Sequence, residues 1–237
     1  VTDWTEISDT NLEVGKPTRS IDGLALRDNP RAMAEGAPGS PIFAAKTGAA
    51  LPMLFNQAAN NTFNTWSFVL GATYDVILIE FVQLLLAGND DALSMLTSSD
   101  SGANYDNGAS DYAWAVQQTK DDATTTPYGD PADGNIKLWG RAGGASTGMT
   151  NTAAGGFNGH LWLFSRSSQV THRKARWEAS AAEVATLKEV SISGSGRRLA
   201  TAHVNAIRFY TELGGNFHSG IIRVFGVQSS DAPGNWP

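Results

Sequence analysis

Between Tyr74 and Leu86 the chain runs YDVILIEFVQLLL, with apolar side chains in both odd and even positions. A half-buried strand alternates polar and apolar residues. A run that is apolar in both phases therefore predicts a strand near the centre of a sheet, covered on both faces. Glu80 and Gln83 interrupt the run, and it falls short of the ~20 residues that cross a bilayer as a helix. The segment predicts core, with no membrane insertion.

What surrounds this run has the same character. From Phe63 onward, short apolar runs are separated by Gly, Asn, Asp and Ser, the pattern of many strands joined by turns. Strands are predicted over residues 65–70, 74–86, 111–117, 136–139, 159–165, 175–179, 187–193, 202–210 and 220–228, with a further apolar segment at Leu93 to Thr97. Near the C-terminus Val204, Ala206, Arg208 and Tyr210 alternate with His203, Asn205, Ile207 and Phe209, so neither face is wholly polar. One sheet stacked on another buries such strands, and the expected fold is an all-β, two-sheet antiparallel sandwich. Composition agrees: glycine supplies 25 of 237 residues and only 17% are charged, which excludes a coiled coil. There are no cysteines, so disulfides, thiolate metal sites and a cysteine nucleophile are excluded, and a reducing compartment fits. The net charge of −6 argues against nucleic acid as a partner.

The first fifty residues differ from the rest. Val1 to Lys16 is polar and acidic, unlike a secretory signal. Ser20 is placed to cap a short helix over Ile21 to Leu26, and Asn29 followed by Pro30 forms a second cap that Gly36 would end. The Gly/Pro-rich stretch from Gly36 to Pro41 cannot continue a helix. The expected organisation is a short irregular or helical arm at 1–45, a linker at 46–62, the sandwich at 63–230 and a tail at 231–237.

Four patterns bear on chemistry. Gly144-Ala145-Ser146-Thr147-Gly148 matches the G-x-S-x-G nucleophile motif, but it sits in a run of small residues with no helical period behind it, so a loop is expected. Glu178 and Glu183 are five residues apart, out of phase for one strand face, and are expected to be solvated. His160, His172, His203 and His218 are too dispersed for a metal motif, and neither a metal nor any other cofactor is expected. The basic stretch around Arg166, Arg173, Lys174 and Arg176 is read as a hairpin tip, the Ser193 to Arg198 segment as a turn, and Trp114 and Trp139 as core. The loop from Ser98 to Gly108 gathers oxygen donors and an aromatic ring. Asp100, Asn104, Tyr105 and Asp106 are its candidate ligand residues, for a sugar or calcium, although turn chemistry alone enriches the same residue types.

Two stretches resemble a known family. LALRDNPRAMAEGAPGSP at 24–41 resembles a segment near the start of tailed-bacteriophage virion proteins, and GGNFHSGIIRVFGV at 214–227 resembles the last strand of concanavalin-like jelly-roll domains in phage fibres and spikes. Tyr74 to Phe81 and Asp100 to Tyr112 are similar to the early strand and Asp/Gly loop of those domains. The resemblance implies a lectin-like jelly roll in a virion component made in the bacterial cytoplasm, homo-oligomeric with a trimer favoured. Its arm, including Leu26, Arg27, Asp28, Asn29, Pro30, Met33 and Glu35, would dock to other virion proteins, and the sandwich would touch a host-surface glycan. It carries no catalytic set, and no enzyme is expected. The alternatives are a capsid decoration protein without ligand and a polysaccharide-degrading enzyme on the same fold.

Overall fold

The computed structural model describes residues 53–70, 74–140, 147–152, 154–164 and 171–228, with backbone alone at 227 and 228. The arm residues Leu26, Arg27, Asp28, Asn29, Pro30, Met33 and Glu35 lie outside the described residues, as does Ser146.

Among the described residues twelve strands follow in order: β1 (Met53–Ala58), β2 (Thr65–Val69), β3 (Tyr74–Leu86), β4 (Leu93–Ser98), β5 (Tyr112–Lys120), β6 (Thr125–Asp133), β7 (Ile136–Lys137), β8 (Phe157–Phe164), β9 (Lys174–Ala182), β10 (Glu189–Arg198), β11 (Ala206–Thr211) and β12 (Phe217–Gln228). No helix is present among the described residues. The strands form an eight-stranded sheet in the order β1-β12-β3-β8-β9-β10-β5-β6 and a four-stranded sheet in the order β2-β11-β4-β7. Every neighbouring pair is antiparallel. The expected all-β, two-sheet architecture is what the described residues adopt.

The core lies between the sheets. Ile77, Ile79 and Phe81 of β3, Leu161 and Leu163 of β8, and Trp177 of β9 face Phe68, Met95, Ile207 and Phe209 of the smaller sheet, all buried. Phe81 meets Phe209 edge-on at 5.2 Å between ring centres, and Trp66 meets Phe217 at 5.4 Å. Each such side chain contributes about 1.5–3 kcal/mol through burial.

The structure corrects several details. β3 is third in its sheet, but among the described residues the second sheet covers only one of its faces, and Val76, Leu78 and Val82 are half-buried on the other side. The strand covered on both faces is β4, buried at every position. β1 lies inside the segment read as a linker and pairs with β12, and the compact unit begins at Met53. β6 was hidden by Pro127, Gly129 and Pro131, residues that a central strand would not carry. Among the described residues it is an edge strand, bonded on one side only, where a missing N–H is tolerated. The Ser193 to Arg198 segment is not a turn but the second half of β10. Gly194 lies directly across from Trp177, and a Cβ there would come within 2.2 Å of the indole, so the glycine makes room for the ring.

Candidate functional site

The loop between β4 and β5 holds all four residues picked out by composition, and its Asp100 and Asp106 carboxylates are already engaged by the chain itself. Asp100 accepts hydrogen bonds from Ser98 Oγ at 2.6 Å, from the Asn104 backbone N–H at 2.9 Å and from Asn104 Nδ2 at 2.8 Å. These donors, the Asn104 backbone first, lower the Asp100 carboxyl to about 2. Asp106 pairs with Arg198, whose side chain is 5% exposed. The Asp106 carbonyl accepts from Tyr112, whose hydroxyl also accepts the Thr97 N–H at 2.8 Å, and burial pushes that phenol up to about 12. Tyr105 packs against the core with the Arg208 guanidinium 3.9 Å from its ring centre.

The outer face of the eight-stranded sheet is built differently. Because side chains alternate along each strand, registers place outward residues in rows across it. One row runs Arg223, Glu80, His160, Glu178, Ser193, Gln117 over six strands. The next runs Phe225, Leu78, Trp162, Arg176, Ser195, Ala115, and a third runs Val76, Phe164, Lys174, Arg197, Ala113. An open depression of about 370 Å³ is lined by His160, Trp162, Phe164, Arg176 and Glu178. Trp162 is half-buried and Phe164 is 46% exposed, both projecting from the strand whose inward residues, Leu161 and Leu163, are buried. Arg176 and Glu178 form an ion pair of 3.2 Å with both side chains at least half exposed. Such a pair adds little stability and exchanges readily for a ligand.

The remaining candidates fall elsewhere. Glu183 is buried, not solvated: it accepts from Lys120 and from Thr147 Oγ1 at 2.9 Å, and from Thr186. Burial alone would raise its carboxyl, but these bonds, led by Lys120, hold it below the usual range. Glu178 is outward on β9 in mid-sheet, so the two glutamates occupy separate environments. Trp114 and Trp139 are core, their indole N–H groups donating to Asp133 Oδ2 at 2.9 Å and to the Thr147 carbonyl at 2.8 Å. No group of three or more His, Asp or Glu that could hold a metal ion occurs among the described residues.

Chemically, the outer face offers aromatic rings for stacking, an imidazole, a carboxylate and guanidinium donors on rigid strands. Sequence reasoning passed over His160, Trp162, Phe164, Lys174 and Arg176 as site residues. The signal was the period of two: His160, Trp162 and Phe164 share one phase of β8, while Lys174, Arg176 and Glu178 share one phase of β9. Lys174 and Arg176, taken for part of a hairpin tip, belong to the sheet. Comparisons with protein families, curated proteins and solved structures find no match to this chain.

Proposed function

We propose that this chain is a non-enzymatic structural and adhesion component of a tailed-phage particle, made in the bacterial cytoplasm. It docks to other virion proteins through its N-terminal arm, as a homo-oligomer with a trimer favoured, and displays its sandwich to host-surface glycan. The sequence resemblance at 24–41 and 214–227 supports the particle assignment. The glycan reading rests on one observation, the outer-face cluster in which Trp162 and Phe164 stand beside His160, Arg176 and Glu178. A sugar ring has an apolar face that stacks on an aromatic and a rim of hydroxyls that need donors and acceptors, and this cluster supplies both. Each contact is weak, and several copies per particle would supply avidity.

The test is retention of host capsular or lipopolysaccharide glycan by the full chain. Wild-type protein should retain the glycan and leave its length unchanged over hours. The Trp162→Ala/Phe164→Ala protein should release it. Retention unaffected by the double substitution would remove the outer face as the site and favour a decoration protein without ligand there. Shortened glycan would overturn the non-enzymatic assignment.

A further inference from the structure

We infer that the open face of the eight-stranded sheet selects an acidic glycan, with a sugar carboxylate held between Lys174 and Arg197. The inference rests on the glycan reading and names the class of glycan.

Three observations carry it. First, these two cations stand apart from the rest of the sandwich. Among the described residues Lys120, Lys137, Arg176, Lys188, Arg198 and Arg223 each pair with a carboxylate. Arg173 donates to backbone carbonyls and Arg208 to Ser67. Lys174 and Arg197 alone have no such partner there.

Second, they are neighbours: Lys174 and Arg197 sit directly opposite each other on β9 and β10, both exposed on the outer face. Like charges in that position weaken a sheet, and an anion seated between them turns the repulsion into two attractions. The chain carries a net charge of −6, so a local pair of unpaired cations is set against the overall field and marks where an anion is drawn.

Third, the surroundings suit a sugar rather than a bare ion. Lys174 and Arg197 edge a groove of about 590 Å³ whose floor includes Ala113, Ala115 and Ser195, too short to hold a ring off the backbone. Phe164 is the next residue in their row, two strand spacings or about 10 Å from Arg197. Trp162 lies one row away. A carboxylate anchored by the cations thus leaves its own or the adjoining ring against an aromatic. Asp130 lies on the groove's other wall, its Oδ1 accepting the Ala132 N–H at 2.9 Å. A groove cationic on one wall and acidic on the other orients a mixed ligand with hydroxyls and one acid per ring.

The experiment is calorimetric titration of the full chain with tetragalacturonate, with its fully methyl-esterified form and with a single-stranded thymidine pentanucleotide of the same charge. Tetragalacturonate should bind at least about tenfold more tightly than the ester, the value of one charge-assisted contact. Its binding should also weaken as salt is raised. Lys174→Gln/Arg197→Gln, at two exposed positions, should abolish the preference, with a melting temperature that is unchanged or slightly raised confirming the fold. Equal binding of acid and ester by the wild type would overturn the inference while leaving the glycan reading in place. Pentanucleotide binding as tight as that of tetragalacturonate would overturn it in favour of simple charge attraction. Binding of neither sugar would also overturn it, and the retention assay with host glycan then decides the broader reading separately.

Discussion

The loop between β4 and β5 and the outer face of the eight-stranded sheet are both rich in groups that could hold a ligand, and they use them in opposite ways. In the loop, Asp100 is surrounded by Ser98 and Asn104, Asp106 by Arg198, and Tyr105 by Arg208. On the sheet, Lys174 and Arg197 have no carboxylate, and the Arg176–Glu178 pair is exposed and exchangeable. A hydrogen-bonding group already satisfied by its own chain offers a ligand little, because binding must first break what is there. Donor density along the sequence is thus a poor guide to a site; donors left over once the fold is made are a better one.

The largest effect that would sharpen this contrast is on stability. Asp106→Ala leaves the guanidinium of Arg198, 5% exposed, with only Ala202 and Ser99 as partners among the described residues. Removing one member of a buried ion pair costs about 3 kcal/mol, and urea unfolding should show a loss of that order. An unchanged unfolding midpoint would mean that Asp106 is not structural, and the loop would again be the stronger candidate for ligand binding.

On the sheet the expected order is reversed, with a large effect on binding and a small one on folding. Trp162→Ala and Phe164→Ala should each weaken glycan binding by roughly threefold to tenfold, the usual worth of an aromatic contact. The exposed Phe164 should be the more silent of the two in thermal unfolding. If Phe164→Ala lowered the melting temperature as much as Asp106→Ala, the outer face would be serving packing, and its openness would not mark a site.

Much of the fold was legible because hydrophobic period and turn residues are local properties. The strand runs at 74–86 and 220–228 correspond closely to β3 and β12. What escaped was set by tertiary context. The prolines of β6 argue against a strand until its place at the sheet edge is known, and Gly194 and Gly196 look like a turn until Trp177 and Ile136 are seen to fill the space above them. Both phases of β3 are apolar, yet the second sheet covers only one, and Val76 and Leu78 instead border Phe164 and Trp162 across the strand pair. The candidate site was hidden for the same reason. His160 and Glu178, or Lys174 and Arg197, are eighteen or more positions apart in the chain and become neighbours only through the register of β8, β9 and β10.

The smallest expected effect is a local titration in the loop. The ordinary Asp value is 3.8, and in the folded loop Asp100 is lowered to about 2, chiefly by the Asn104 backbone N–H and then by Ser98 and the Asn104 side chain. A folded value below the unfolded one means that the ionised carboxylate is the form the loop holds. Its contribution is complete above about pH 4 and fades as the pH falls through about 2. Asp100 is exposed, so water screens much of this and global stability should hardly register it. The Asn104 amide should register it: followed by NMR in acid, its resonance should move with a midpoint near 2 and lose that movement in Asp100→Asn. A midpoint near 3.8 would show that the loop does not hold the carboxylate after all. Asp100 would then be free to meet a ligand, and the distinction between a self-satisfied loop and an unsatisfied sheet face would fail at the residue where it is most easily measured.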